Sequence, residues 1–406
     1  MSSTRPNAEP EPISAKKSRP LWPWVAGTLF LSVAAVVFSF WWPMHRANRV
    51  LQGLSADSSL TAALITEVDI SYHHPQWAGY LLDEKTFHPW FDELVSLNAL
   101  QRPVPSSLLD DLRQFRDLKT LNVLIEDMPL EKFRDFESLE NLGLFGSEVP
   151  REGPVRNLKR EEWEQLVTEL PVESLGFYHF GLSGSRVPNA NIEQLYLVLC
   201  EIDGSFGKAL AGLSELKSLY ISDSRAEQGF WKSVSDHPAL TILRLTDLTV
   251  TGENWRQLCR SERLKTLELD FPWEPPQIDP FTPSPSRELP TESALDNAEW
   301  EQLSRLKNLE ELSLRDVQIT ENTLQAIAAL PRLRELGLDY VSVDADSLEA
   351  LGNSLTLKVL HLYETDLTAD VLREFIGQHP DVEVNHDLSE LELGNSRRAK
   401  QMIIAP

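Results

Sequence analysis

The residues of this chain that could carry chemistry are few, and their spacing does not bring them together. His73, His74 and His88 lie near Asp83 and Glu84, and residues of these types can bind a metal ion. Nothing in the spacing enforces convergence, so we interpret these histidines as surface-loop residues. The sequence also lacks the nucleophile elbow, the phosphate loop and the His-Glu-x-x-His and Cys-x-x-Cys motifs. We therefore predict no catalytic residue, no cofactor and no metal site, in a protein that is not an enzyme.

The dominant feature of the sequence is instead a repeat with a period of 24 residues. Apolar triplets of the form Leu-x-x-Leu-x-Leu begin at Leu216, Leu240 and Leu264, and after an interruption at Leu309, Leu333 and Leu357. Earlier copies begin at Leu118, Leu139, Val172 and Ile192, and a divergent unit is expected from Leu94. Such self-similarity indicates one supersecondary unit stacked many times, which offers an extended binding surface rather than a single pocket.

The apolar spacing changes within each unit, which we number from its first apolar residue as position 0. Positions 3 and 5 are apolar and predict a short strand with one buried face. Positions 8 and 10 are again apolar, and position 11 holds a helix N-cap residue such as Thr320, Asp344 or Thr368. Positions 15 and 18 are large and apolar, as in Trp255 and Leu258. Each unit is therefore predicted to be a strand, a tight turn, a capped short helix and a segment that leads back to the next strand.

This unit resembles the leucine-rich repeat family. Ile192, Leu195, Leu197, Cys200 and Ile202 match the family pattern L-x-x-L-x-L-x-x-N/C-x-L. Other units carry Leu, Val or Thr at position 8, which favours an apolar ladder over a polar one. The resemblance implies an α/β fold, a leucine-rich-repeat solenoid with a curved parallel sheet and outer short helices. It covers residues 94–385.

Two intervals between triplets exceed the period. The interval from Leu264 to Leu309 is 45 residues and contains a proline-rich insertion at 271–296, and that from Leu139 to Val172 is 33 residues. Both insertions fall between strand and helix, so they are expected to project from one edge of the array. Insertions on one face often mark a binding face, but long surface loops also cost little entropy. For the proline-rich loop both interpretations stay open, and for the shorter insertion we favour surface drift.

Residues 21–42 contain no charged side chain and predict a transmembrane helix of about 33 Å. Trp22, Trp24, Trp41 and Trp42 mark its two ends, as in an aromatic belt. No small-residue cleavage pattern follows, which favours an uncleaved anchor over a signal peptide. More basic residues precede this segment than follow it, so we expect a cytoplasmic N-terminus and an extracytoplasmic repeat domain, facing a bacterial periplasm.

The predicted domain order follows from these segments. It consists of a disordered cytoplasmic tail 1–20, the transmembrane helix 21–42, a juxtamembrane segment and N-terminal cap 43–93 with a first strand near 65–70, the repeat domain 94–385 and a C-terminal tail 386–406. The formal net charge of −24 argues against nucleic acid as a partner. Cys200 and Cys259 occupy different positions in units two apart, so we predict two small buried residues and no disulfide.

Side chains at positions 2, 4 and 6 of each strand point away from the buried positions. We name the surface that they form the open sheet face, and the family resemblance implies that it is concave. Candidate protein-binding residues on this face are Phe145, Tyr178, Tyr196, Tyr220, Arg244, Glu268, Asp270, Arg315, Asp339, His361 and Tyr363. Aromatic anchors beside charged groups are typical of protein-binding surfaces, although Tyr and Phe also suit strands in general.

The sequence therefore predicts a single-pass membrane protein whose extracytoplasmic repeat domain binds another, unidentified protein. This design resembles the membrane-anchored repeat proteins of bacteria such as the planctomycetes. One alternative is a structural role in the cell envelope without a defined soluble ligand. A less favoured alternative is a repeat scaffold for an enzyme activity, which would need a catalytic constellation in the proline-rich loop or in residues 50–115, and the sequence shows none.

Overall fold

The computed structural model describes residues 67–72, 92–99, 109–110, 112–113, 118–125, 130–146, 156–184, 186, 190–247, 250, 252–271 and 295–387. The chain divides into two compact units, and all of these residues belong to the one formed by Asp57–His73 and Asp92–Pro406. The predicted transmembrane helix 21–42, the tail 1–20, residues 388–406 and most of the proline-rich insertion lie outside the described residues. Within the described residues, no helix has both the length and the apolar character needed to cross a bilayer.

The described residues form an α/β fold in which short strands alternate with short helices. The strands are β1 Glu67–Tyr72, β2 Asp92–Ala99, β3 Thr120–Leu124, β4 Asn141–Phe145, β5 Arg156–Leu158, β6 Ser174–Tyr178, β7 Phe180–Leu182, β8 Gln194–Val198, β9 Glu201–Ile202, β10 Ser218–Ser222, β11 Arg225–Ala226, β12 Ile242–Thr246, β13 Thr266–Asp270, β14 Glu311–Arg315, β15 Glu335–Asp339, β16 Val359–Tyr363 and β17 Glu383–His386. The α-helices are α1 Arg160–Glu169, α2 Phe206–Leu210, α3 Gln228–Ser235, α4 Gly252–Leu258, α5 Asn297–Trp300, α6 Glu321–Ala328, α7 Ala345–Gly352 and α8 Ala369–Gln378. Two 3-10 helices lie at Leu130–Asp135 and Glu301–Arg305.

Thirteen strands form one large sheet in the order β1-β2-β3-β4-β6-β8-β10-β12-β13-β14-β15-β16-β17. Only β1 is antiparallel to its neighbour, and the other twelve strands run parallel. From β3 to β16, each strand of this sheet begins at position 2 and ends at position 6 of its unit. Equivalent positions therefore pair, as Leu219 does with Leu195 and with Leu243. These strands confirm the prediction made from positions 3 and 5. β1 overlaps the predicted cap strand, and Ser96 on β2 pairs with Thr120 on β3.

The core of the repeat domain consists of these stacked apolar positions and of the helical side chains that cover them. Leu195, Leu219 and Leu243 are each at most 1% exposed. On the helix side, position 15 holds a column of fully buried indoles, Trp163, Trp231, Trp255 and Trp300. Cys200 and Cys259 are buried and free, as predicted. Burial raises the pKa of the Cys200 thiol to about 12, so this cysteine is a packing residue and not a nucleophile.

A left-handed residue at position 7 turns the chain away from the large sheet. In seven units this residue is not glycine and has a φ between 48° and 65°: His179, Leu199, Asp223, Asp247, Asp316, Tyr340 and Glu364. In three units the residues after this turn form β7, β9 and β11, which pair with β5 in a second parallel sheet of order β11-β9-β7-β5. β5 instead follows the shorter insertion, in a unit whose position 7 is Gly146. A turn lies where it was predicted, but the short strands after it were not predicted, because strands of two or three residues leave no periodicity in the sequence beyond one apolar pair.

Glu364→Gly is expected to stabilise the fold by about 0.5–1 kcal/mol, because glycine adopts a positive φ without the crowding that a Cβ causes. Glu364 has a φ of 49° and an exposed side chain, so the change removes few contacts. Urea denaturation measures the effect. Glu364→Ala is the matched control, since it removes the same side chain but keeps the crowded backbone. Equal stabilities for the two variants would contradict this explanation.

Helix starts follow the predicted N-cap positions. The side chains of Thr320, Asp344 and Thr368 each accept a hydrogen bond from the backbone N–H three residues later. Asp296 caps α5 in the same way. Asp296 was not among the predicted caps, although counting back from Leu309 places it at position 11. Short polar side chains at this position therefore fix the starts of α5, α6, α7 and α8, whereas α1, α2 and α3 begin without a side-chain cap.

Both insertions leave the array after position 7, at the carboxyl ends of β4 and β13. Gly146 and Phe271 occupy position 7 in these two units, and neither has a left-handed backbone. The strands on either side still pair in register, since Leu267 pairs with Leu312 and Leu142 pairs with Leu175. The large sheet therefore continues across both insertions without a change of register.

Candidate protein-binding face

All eleven predicted binding residues lie on the open sheet face. Each occupies position 4 or 6 of its strand, between neighbours at positions 3 and 5 that are buried on the opposite face. Nine of the eleven are half-buried, and Arg315 and Tyr363 are exposed. The structure therefore brings these side chains onto one surface, where a partner could reach them. The eleven residues fall into two groups along this surface, one aromatic and one mostly charged.

The first group, which we name the aromatic half, comprises Phe145, Tyr178, Tyr196 and Tyr220. Phe145 and Tyr178 are register partners on β4 and β6, and their rings stack with centroids 3.9 Å apart. Burial raises the pKa of the Tyr178 hydroxyl, and the nearby Tyr196 and Tyr220 raise it further. The Tyr178 hydroxyl therefore stays neutral at physiological pH and can donate a hydrogen bond.

Tyr196 and Tyr220 continue the aromatic half on the next two strands. They are register partners on β8 and β10, with ring centroids 5.8 Å apart and tilted by 52°. The Tyr196 hydroxyl donates to Oε1 of Gln194 at 2.9 Å. Because these contacts fix the rings before any partner arrives, binding through them would lose little side-chain entropy.

Two glycines beside the aromatic half let neighbouring side chains lie flat on the sheet. Gly143 and Gly176 are register partners at position 4. A Cβ at Gly143 would stand 2.0 Å from Oδ1 of Asn122, and a Cβ at Gly176 would stand 2.9 Å from the Tyr178 ring. This feature was not predicted, although glycine at position 4 of two successive units is its signal in the sequence.

The second group, which we name the charged half, comprises Arg244, Glu268, Asp270, Arg315, Asp339, His361 and Tyr363. Most of its charged side chains form ion pairs with one another. Arg244 and Glu268 are 2.8 Å apart, and this carboxylate raises the pKa of the guanidinium. Nε of Arg315 donates to Asp339 at 2.6 Å, and Asp270 lies 3.9 Å from the same guanidinium. A partner must therefore compete with existing ion pairs on this half.

At the C-terminal end of the charged half, His361 lies between a carboxylate and an aromatic ring. Its Nε2 is 3.0 Å from Oε1 of Glu335, and its ring stacks near Tyr363 with centroids 6.1 Å apart. Tyr363 is 40% exposed, which makes it the most accessible aromatic side chain of the described part of this face. This end therefore offers a second, smaller contact point.

The described residues do not form a candidate metal centre. They contain no group of three or more His, Cys, Asp or Glu that could hold a metal ion. The histidines at 73, 74 and 88 and the neighbouring Asp83 and Glu84 lie outside the described residues. No protein-family model matches the chain, and no curated protein matches it. The function is therefore argued from the geometry of the open sheet face.

Proposed function

We propose that this protein is a membrane-anchored leucine-rich-repeat protein that binds another protein through the aromatic half of its open sheet face. The observation that carries the proposal is the pair Tyr196 and Tyr220, held 5.8 Å apart on adjacent strands and half-buried. Tyrosine combines a large apolar surface with a polar tip, and it is enriched among residues that dominate binding energy.

The charged half serves orientation and specificity in this proposal. Its ion pairs are exposed to solvent on one side and alternate in sign along the face, from Arg244 and Glu268 to Arg315 and Asp339. Such charges contribute modest net affinity, because binding must break or desolvate the existing pairs. They select among partners and steer their approach, while the tyrosines supply the affinity.

The finer features of the fold belong to the same proposal. Units of 24 residues, two buried apolar ladders and four helices that begin at a capping side chain support a leucine-rich-repeat solenoid with a concave open sheet face. The apolar segment 21–42 supports a membrane anchor, and the basic residues before it support an extracytoplasmic repeat domain.

Site-specific photocross-linking in native membranes tests the proposed function. A benzophenone-bearing residue replaces Tyr220 in one variant and Glu374 in a control variant. Glu374 is exposed on α8, on the helix side of the array. We expect one discrete protein adduct from the Tyr220 variant and none of the same mass from the control, because the partner lies on the open sheet face.

The same experiment separates protein binding from a purely structural role in the envelope. A structural protein without a defined ligand would give no discrete adduct from Tyr220. Adducts of the same mass from both variants would show that the partner does not distinguish the two faces. Either result would contradict binding through the aromatic half.

A further inference from the structure

A second surface with binding chemistry lies away from the open sheet face, at the amino ends of β14, β15 and β16. A cavity of about 530 Å³ opens there, and we name it the basic edge pocket. The residues that line it include Glu310, Pro331, Arg332, Arg334, Leu355 and Lys358. It occupies the edge of the large sheet opposite to the carboxyl ends where the two insertions leave.

The column of side chains at position 1 explains why positive charge accumulates in this pocket. Elsewhere in the column, cations and acids of neighbouring units pair, as Lys217 does with Glu193 at 2.7 Å and Lys265 with Glu310 at 2.9 Å. Arg334 and Lys358 then follow in succession. Their strands are adjacent, since the Lys358 N–H donates to the Arg334 carbonyl at 2.7 Å. Arg334 and Lys358 are therefore two successive cations of the column with no acid of the column between them.

Arg332 adds a third positive charge two residues before Arg334. Within the described part of the chain, Arg332, Arg334 and Lys358 form no ion pair within 4 Å. Glu310, the acid that lines the pocket, is bound to Lys265, which lowers the pKa of its carboxyl most, and Arg334 and Arg332 lower that pKa further. Positive charges that line one pocket repel one another, so an anion that enters the pocket would relieve the repulsion as well as gain its own contacts. The guanidinium groups can also bind a carboxylate in a bidentate manner.

An exposed apolar side chain stands beside these charges. Leu355 is 95% exposed, the highest value among the large hydrophobic residues of the described chain, and it lines the pocket together with Pro331. A bound anion without an apolar part would leave this side chain in water. The combination of three cations and a leucine therefore matches a ligand that carries both carboxylates and an apolar group.

We propose that the basic edge pocket binds a short acidic peptide segment of a partner protein, with its carboxylates on Arg332, Arg334 and Lys358 and an apolar side chain on Leu355. This site is independent of the binding function proposed for the aromatic half. A long polyanion fits less well, because the chain carries a net charge of −24 and repels extended negative surfaces such as nucleic acid or anionic membranes. A short peptide mainly senses the local cations, since charges are screened over about 8 Å at physiological salt.

Calorimetric titration of the purified full chain tests this site with a capped peptide of one leucine followed by two glutamates. We expect saturable binding that weakens at least roughly tenfold in the double variant Arg334→Gln/Lys358→Gln. The control, Lys208→Gln/Lys232→Gln, removes the same charge from exposed helix-side positions and is expected to change affinity by less than about twofold. Leu355→Ser is expected to weaken the peptide by roughly threefold or more.

Inorganic phosphate and glycerophosphate, a soluble fragment of a lipid headgroup, serve as competing probes in the same titration. The proposal requires that both bind more weakly than the peptide and that Leu355→Ser leaves phosphate binding unchanged. Three results would overturn it: no saturable peptide binding at millimolar concentration, equal weakening by the helix-side control, or phosphate binding as tight as peptide binding. Unchanged thermal unfolding of the variants verifies that they are folded.

Discussion

Replacing Trp255 with alanine should lower the free energy of unfolding by about 3–5 kcal/mol, the range typical of a buried tryptophan. The Trp255 side chain is 0% exposed, and its ring meets Trp300 edge-on with centroids 5.7 Å apart. Its Nε1 donates to the Glu299 carbonyl at 2.6 Å. These contacts join α4 to α5, the two helices that flank the proline-rich insertion. The substitution therefore opens a cavity between α4 and α5, which are in contact but are separated along the chain by the proline-rich insertion.

A more conservative change isolates the hydrogen bond of this indole. Trp255→Phe keeps most of the packing but leaves the Glu299 carbonyl without its donor. Trp231 is the matched control, since it occupies the same position one unit earlier, is 1% exposed, and its Nε1 has no hydrogen-bond partner among the described residues. We expect Trp255→Phe to cost about 1–2 kcal/mol more than Trp231→Phe.

Urea denaturation of the purified full chain, followed by circular dichroism, measures these differences. If only stability changes, the substitution should lower the urea concentration at the unfolding midpoint. The dependence of the free energy of unfolding on urea concentration should stay unchanged. Equal costs for the two Trp→Phe changes would show that the bond to Glu299 contributes no net stability. A cost below about 1 kcal/mol for Trp255→Ala would show that the two sides of the insertion are not coupled through this residue.

Much of the repeat could be predicted because its period is short and its buried positions are strictly apolar. Leu219 and Leu243 lie 24 residues apart and pair directly, so the spacing alone placed both strands. The same numbering of positions within the unit also predicted capping residues such as Asp344 at position 11. Charge pairs 24 residues apart, such as Arg315 with Asp339, are readable from the sequence in the same way.

The features that escaped prediction depend on backbone geometry or on positions that were not considered. Three strands of the second sheet, β7, β9 and β11, follow a left-handed residue at position 7, and residues as different as Leu199 and Asp223 occupy it. The residue type at position 7 therefore does not predict the turn. The basic edge pocket lies at positions 1 and −1, outside the strand positions that define the open sheet face. Lys358 belongs to the unit after that of Arg334, so it shares a pocket with Arg332 and Arg334 only because the units stack at this edge of the sheet. The pattern of a single unit does not show this.

Binding of the partner should weaken by about 100-fold in the double variant Tyr196→Ala/Tyr220→Ala, the second large effect that the structure leads us to expect. The two rings lie on adjacent strands with centroids 5.8 Å apart, so they form one contact area. Each is half-buried in the free protein. Truncation therefore removes the apolar surface that a partner would cover, while the buried ladder beneath the rings stays intact.

Two control variants assign this effect to the rings, with affinity measured by surface plasmon resonance against the partner identified by photocross-linking. Tyr196→Phe/Tyr220→Phe keeps the rings and is expected to lose less than about tenfold. Tyr363→Ala, at the far end of the same face, is expected to lose less than about threefold, because anchors concentrate near the centre of an interface. If Tyr363→Ala weakened binding more than the double alanine variant, the charged half would be the anchor. Because the tyrosines add little to the core, an unfolding midpoint close to that of the unsubstituted protein is required before any loss is assigned to the interface.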